Sequence, residues 1–147
     1  MNVCFDCCAL NRLFDAPTPR VNRERAGMKV ILAMLHGGRH KFALTDVLMY
    51  EVRNSTDLVK RADLLNLLPG HDLFVPGSTD LKAEALTLAR AVGLDTTDAL
   101  HVASAAAVEG ILFTTDDRIL KIADMLPVAF ASATICNPAE WAKVLKP

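Results

Sequence analysis

Aromatic residues are scarce: one Trp, one Tyr and six Phe make up 5 % of 147 residues. A protein that grips bases on several stacking platforms is therefore not expected. A long apolar run is also missing. The longest stretch without a charge, Met125 to Ala139, has 15 residues and is broken by Pro127 and Pro138. A membrane-spanning helix needs about 20 apolar residues, so no membrane association is expected. Glycine and proline number seven each, which argues against collagen-like or low-complexity chain. Neither G-x-G-x-x-G nor G-x-x-x-x-G-K-[ST] occurs, so the common Gly-rich phosphate cradles are missing. The opening Met-Asn-Val-Cys-Phe-Asp has an acid at position 6 and no basic n-region. That is unlike a signal peptide, and a cytoplasmic protein is the expectation.

Cysteines are few and crowded: Cys4, Cys7 and Cys8 fall within five residues, and Cys136 stands alone. Disulfide scaffolds spread more cysteines along the chain. Small apolar packing in a reducing compartment is the expected role. A zinc site is disfavoured because Cys4-x-x-Cys7 has no second ligand pair, and a thioredoxin-like redox pair because its βαβ context is only partly met.

What is present is the composition of one globular domain over residues 1–147, with 52 % hydrophobic and 22 % charged residues. A chain of this length buries roughly 70 % of its unfolded surface. The net charge of −1 hides an asymmetry: residues 1–61 hold ten Lys/Arg against six Asp/Glu, and the remainder six against eleven. The basic half clusters Arg20, Arg23, Arg25 and Lys29, then Arg39, His40 and Lys41. Such clusters are either a solvated helix face and loop or a phosphate-facing rim.

Hydrophobic periodicity predicts strands at Val3–Cys7, Phe42–Thr45, His71–Val75, Ile111–Thr114 and within Val128–Ile135. It predicts helices at Val21–Leu35, Asp46–Val52, Asp57–Leu68, Thr79–Val92, Thr96–Glu109, Asp117–Met125 and Pro138–Leu145. Short strands alternating with helices imply an α/β fold, a parallel sheet of about five strands sandwiched between helices. Ligands of such sheets bind at the strands' carboxyl ends.

Four acids fall near those ends: Asp6 after the first strand, Glu51 in the helix after the second, Asp98 opening the apolar helix before the fourth, and Asp116 after the fourth. Each has an ordinary alternative. Asp6 suits a turn, Asp95 and Asp98 a capping box, Asp116 a helix cap and Glu51 a solvated helix face. Together, without basic partners in sequence, they would repel one another unless a divalent ion sits among them, and oxygen donors suit Mg²⁺ or Mn²⁺. His101, one turn after Asp98, is either a general base or a hydrogen-bonded histidine of a buried helix. Trp141 reads as packing for the last helix.

The ordered set Val3-Cys4-Phe5-Asp6-x-x-x-x-Asn11, Leu48-Met49-Tyr50-Glu51-Val52, Asp98-Ala99-Leu100-His101-Val102-Ala103, Phe113-Thr114-Thr115-Asp116 and Asn137-Pro138-x-Glu140-Trp141 resembles the PIN domain family of VapC-like toxin ribonucleases. The resemblance covers nearly the whole chain. It departs at Cys7, where the family often has Thr or Ser, and around Asn11-Arg12-Leu13-Phe14-Asp15. It implies Asp6, Glu51, Asp98 and Asp116 as the acidic metal centre, with Thr114 and Asn11 as polar supports. Asp95 and Asp117 are extra acids near the site, each either a further ligand or another supporting group. The implied function is Mg²⁺- or Mn²⁺-dependent hydrolysis of phosphodiester bonds in single-stranded or structured RNA, as the toxin of a toxin–antitoxin pair. Arg12, Arg20, Arg23 and Lys41 are candidates for RNA backbone contacts. An antitoxin protein and a second copy of the chain are the expected partners, the latter because Leu58, Leu64, Leu65, Leu67 and Leu68 exceed what one helix face hides. The alternatives are a catalytically silent interaction module of the same fold and, more weakly, a phospho-acceptor receiver domain. The receiver would need a Lys after a late strand, and none follows Lys121 before Lys143.

Overall fold

The computed structural model describes residues 1–147. Strands β1 (Asn2–Phe5), β2 (Lys41–Thr45), β3 (Leu73–Val75), β4 (Ile111–Phe113) and β5 (Thr134–Cys136) form one sheet in the order β3-β2-β1-β4-β5. Every neighbouring pair is parallel, in the expected α/β architecture. From β1 the chain runs outward through β2 and β3, then returns to place β4 on the other side. Strand order therefore switches between β1 and β4, and the crevice at their carboxyl ends is the place where such a sheet accepts a ligand.

Helices α1 (Cys7–Asn11), α2 (Pro19–His36), α3 (Asp46–Arg53), α4 (Leu58–Leu67), α5 (Thr79–Val92), α6 (Thr96–Ala107) and α7 (Asp117–Lys121) connect the strands. Thr18, Thr45, Asp57, Ser78 and Asp95 start α2 to α6 by accepting a backbone N–H three residues on, which satisfies donors the helix itself cannot. Gly93 ends α5 at φ 75°, where a β-carbon would be strained.

Alternation along the strands sorts the core into two layers. Val3 and Phe5, with Ile111 and Phe113, pack on one face against Met28, Ile31 and Leu48. Cys4, Ala43 and Leu112 face the other way, against Leu81, Ala85, Leu88, Ala99 and Val102 of α5 and α6. Phe5 lies 5.7 Å from Phe42 and 6.3 Å from Phe113 between ring centroids. Each such buried side chain stabilises the fold by about 1.5–3 kcal/mol. Helix α2 meets the closing segment at Gly27, where an added β-carbon would stand 2.0 Å from the Pro138 carbonyl oxygen.

The differences from the sequence expectation lie at element ends. Strand β1 stops at Phe5, because Asp6 caps α1, a helix that the apolar pattern concealed. The helix expected at Asp117–Met125 breaks after Lys121 into a 3-10 turn at Ala123–Met125, and Leu126, which precedes Pro127, is extended. Val128–Phe130 is another 3-10 turn, so the fifth strand occupies only Thr134–Cys136. The closing helix is of 3-10 type over Pro138–Lys143, and Trp141 packs on the core from it. In α4, Leu64 enters the core while Leu58, Leu65 and Leu67 are exposed. No helix is long and apolar enough to cross a membrane.

Candidate active site

At the carboxyl end of β1 the chain is extended at Asp6, whose side chain is 3 % exposed. Its Oδ1 accepts from the Ala9 backbone N–H at 2.8 Å, the first turn of α1, and its Oδ2 accepts a short hydrogen bond from the Thr114 hydroxyl, just past β4. The same Thr114 oxygen accepts from the Asp116 backbone N–H at 3.0 Å. One hydroxyl therefore ties Asp6 and the Asp116 turn together across the switch point. Burial pushes the Asp6 carboxyl above its ordinary range, opposed chiefly by His101 and Thr114.

Asp116 caps α7, with Oδ1 accepting from the Arg118 N–H at 2.9 Å. The Arg118 side chain returns to it from Nε at 3.2 Å and Nη2 at 2.9 Å. This guanidinium holds Asp116 below the usual carboxylate range. It also stands 3.7 Å from Asp98 and 4.0 Å from Asp95. Asp95 caps α6 by accepting from the Asp98 N–H at 2.8 Å, as the capping reading anticipates. That cap fixes the first turn of α6 and with it the Asp98 carboxylate. The Asp98 Oδ2 is buried without a hydrogen-bond partner, and burial together with Asp95 and Asp116 pushes its pKa up to about 6.

Glu51, on α3, meets His101, one turn along α6 from Asp98, at 2.5 Å from Oε1 to Nε2. The His101 ring is buried, with Nδ1 unpartnered. It is the hydrogen-bonded histidine of a buried helix, with no nitrogen facing solvent to serve as a free base. The sequence left the four acids without basic partners; the fold supplies two, Arg118 and His101. Arg118 carried no signal as a partner, since in sequence it is one more charge on a short helix.

Not every predicted support reaches this cluster. Asn11, at the end of α1, accepts only a long 3.9 Å contact from the Cys7 thiol. Asp117 is exposed and paired with Arg20 at 2.9 Å. Arg12 and Arg20 both bond to the buried Glu24, at 3.0 and 3.2 Å. Arg23 is exposed on α2. Lys41 is exposed at the amino end of β2, paired in register with Asn2, and so lies at the opposite end of the sheet from Asp6. The thiol of Cys4 is pushed up to about 12 and that of Cys7 to about 11, mainly by burial, so both stay protonated at neutral pH and are poor nucleophiles. A cleft of about 510 Å³ opens between α3, α5 and α6, and none of the four acids lines it. Its lining includes Tyr50 and Thr97, the sequence neighbours of Glu51 and Asp98, with Arg53 and Lys82.

The sequence model of the PIN domain matches residues 3–125. The chain belongs to the PIN domain family. Two solved structures share the fold of this PIN domain. One is the crystal structure of VapBC2 from Rickettsia felis bound to a DNA fragment from their promoter, with TM-score 0.61, 15 % identity, and coverage of 93 % of this chain and 98 % of that one. The other is FitAcB from Neisseria gonorrhoeae, with TM-score 0.59, 17 % identity, and coverage of 95 % and 99 %. No curated protein sequence matches the chain.

Proposed function

We propose that this PIN domain is a divalent-metal-dependent endoribonuclease, the toxin of a toxin–antitoxin pair. The observation that carries the reading is the unit Asp6–Thr114–Asp116, hydrogen-bonded across the switch in strand order, with Asp98 alongside. The donor set fits Mg²⁺ or Mn²⁺ in chemistry: all are carboxylate oxygens, and one of them, Asp98 Oδ2, is buried and accepts no hydrogen bond, with only the Arg118 guanidinium 3.7 Å away. As the side chains are arranged, no three of them form a group that could hold an ion, and Arg118 stands between Asp98 and Asp116. Asp6, Asp98, Asp116 and Glu51 would hold the metal once Arg118 moves aside. When bound, it would supply an activated water and neutralise charge developing on the phosphate.

The chain's own residues do the rest. Thr114 fixes the Asp6 carboxylate, and Asp95 fixes the turn that carries Asp98. His101 orients Glu51. Asp117 meets the turn only through Arg20, and Asn11, whose side chain meets only the Cys7 thiol, is given no part in holding the metal. Arg53 and Lys82, which line the cleft between α3, α5 and α6, and the exposed Arg23 of α2 are our candidates for contacts with RNA phosphates. The complexes of the two structural neighbours support an antitoxin partner, and exposed Leu58, Val59 and Leu67 support a homodimer. A cytoplasmic location goes with this reading.

A catalytically silent interaction module is the second reading. It is favoured by the way Arg118 and His101 already balance the acids. Cleavage of labelled single-stranded RNA with Mg²⁺, with Mn²⁺ and with a chelator separates the two. Metal-dependent cleavage that Asp98→Asn removes supports the nuclease. No cleavage by folded wild type under any of these conditions leaves the silent module.

A further inference from the structure

Glu24 lies on α2 outside the acid set and is 1 % exposed. Its Oε1 accepts from Arg12 Nε at 3.0 Å and Arg20 Nε at 3.2 Å, and its Oε2 accepts from Asn137 Nδ2 at 2.6 Å. A buried carboxylate requires such partners, and a purely structural ion cluster would account for Arg12 and Asn137. It does not account for the rest of Arg20. The Arg20 guanidinium continues past Glu24 to the turn between β4 and α7. Nη2 donates to the Thr115 carbonyl at 3.0 Å and to Asp117 Oδ1 at 2.9 Å, and Nη1 donates to Asp117 Oδ2 at 3.0 Å. Asp116 sits between the two residues so held, and its own N–H is fixed from the other side by Thr114.

We propose that Glu24 and Arg20 form a positioning relay, in which Glu24 clamps the guanidinium and the guanidinium aims the turn that presents Asp116. The relay rests on the nuclease reading, since it gives Asp116 a defined orientation toward that site. It also gives Arg12 and Arg20 roles that differ from phosphate contact. A planar fork is required, because a lysine ammonium cannot reach a carboxylate on each side and a carbonyl together.

The test uses the full chain with Arg20→Gln, Arg20→Lys and Asp117→Asn. Four quantities are measured: Mn²⁺ affinity by calorimetry, amide hydrogen exchange of the turn peptide 113–120 without metal, melting temperature, and kcat and KM on labelled single-stranded RNA. Arg20→Gln is expected to weaken Mn²⁺ binding about tenfold, as loss of an outer partner of a ligand does. Exchange in the turn speeds up, kcat falls and KM holds, while melting falls by less than in Glu24→Gln because Arg12 and Asn137 stay on Glu24. Arg20→Lys fails to rescue, and Asp117→Asn adds nothing in the Arg20→Gln background. Should Arg20→Gln not fold, Asp117→Asn carries the same test from an exposed position. Wild-type Mn²⁺ affinity and turn exchange in these variants overturn the relay. So does a raised KM with unchanged Mn²⁺ affinity, which makes Arg20 a phosphate contact. A wild type that neither binds Mn²⁺ nor cleaves RNA overturns the nuclease reading instead, and turn exchange then decides the relay alone.

Discussion

Two carboxylates in this molecule are almost completely buried, and the chain treats them oppositely. Glu24 is met by two guanidinium groups and an amide. Asp6 is met by a backbone N–H and a hydroxyl, with no lysine or arginine in contact. A buried charge without compensation is costly, and the Asp6 pKa rises accordingly. The balanced carboxylate ties α1, α2 and the closing segment together. The other has no arginine or lysine against it, and on the proposed function it is one of the carboxylates that would hold an added cation.

The largest effect expected from this contrast is on activity. Asp6→Asn and Asp98→Asn should each lower RNA cleavage by about a thousandfold or more, because loss of one carboxylate of the site removes several kcal/mol of transition-state stabilisation. The double variant should be scarcely worse than either single one, since residues acting as a unit are not additive. Asp63→Asn, exposed on α4, should cleave like wild type. Circular dichroism checks that all of them fold.

Stability should move the other way between the two sites. Glu24→Gln leaves Arg12 and Arg20 facing a neutral group, and should destabilise by about 2–3 kcal/mol, below the range for fully buried pairs because both arginines reach solvent. Asp6→Asn, which removes an uncompensated charge, should leave the metal-free protein at least as stable as wild type. Urea unfolding of both variants checks this, and equal losses would erase the distinction.

Much of this was legible in the sequence. The period of apolar residues placed five strands and the long helices, and the α5 range Thr79–Val92 coincides end for end. Asp6, Asp98 and Asp116 were visible because strand-end and helix-start positions have local signatures. Partnerships were not visible. Glu24 reads as one acid in a basic helix, and its burial depends on Arg12, Arg20 and Asn137 arriving from as far as 113 residues away. Gly27 reads as a weak point in α2, yet it is where the closing segment crosses. Lys41 looked like part of a basic rim, but sequence alone does not say which end of a strand faces the site.

The pH dependence of stability sharpens the contrast at Asp98. Its folded pKa of about 6 lies above the ordinary value of 3.8. The neutral form is therefore favoured in the fold, and this stabilisation is complete below the unfolded value and lost as pH rises to about 6. The metal-free protein should lose about 1–3 kcal/mol over that window relative to Asp98→Asn. Saturating Mn²⁺, at about a hundred times its dissociation constant, should restore about 2.7 kcal/mol at neutral pH. Melting curves from pH 4 to pH 7, with and without the ion, check both. A flat difference between wild type and Asp98→Asn would mean that Asp98 is not held in the way its burial implies.

The smallest expected effect concerns Arg118, the cation the chain itself places among the acids. Its guanidinium bonds to Asp116 and approaches Asp98 and Asp95 from an exposed position. If it serves as an internal counter-charge, an incoming divalent ion must displace it. Arg118→Ala should then tighten Mn²⁺ binding, by about fivefold at low salt, because the ion no longer competes with a resident positive charge. The gain should shrink as ionic strength rises and screens the exposed guanidinium. Arg118→Lys should fall between wild type and alanine, since an ammonium keeps the charge but loses the two-pronged grip on Asp116. Calorimetric titration of the three proteins at two salt concentrations measures this directly. Weaker Mn²⁺ binding by Arg118→Ala would reverse the assignment. Arg118 would then be a residue that shapes Asp116 for the metal, on the same footing as Arg20 on the other side of the turn.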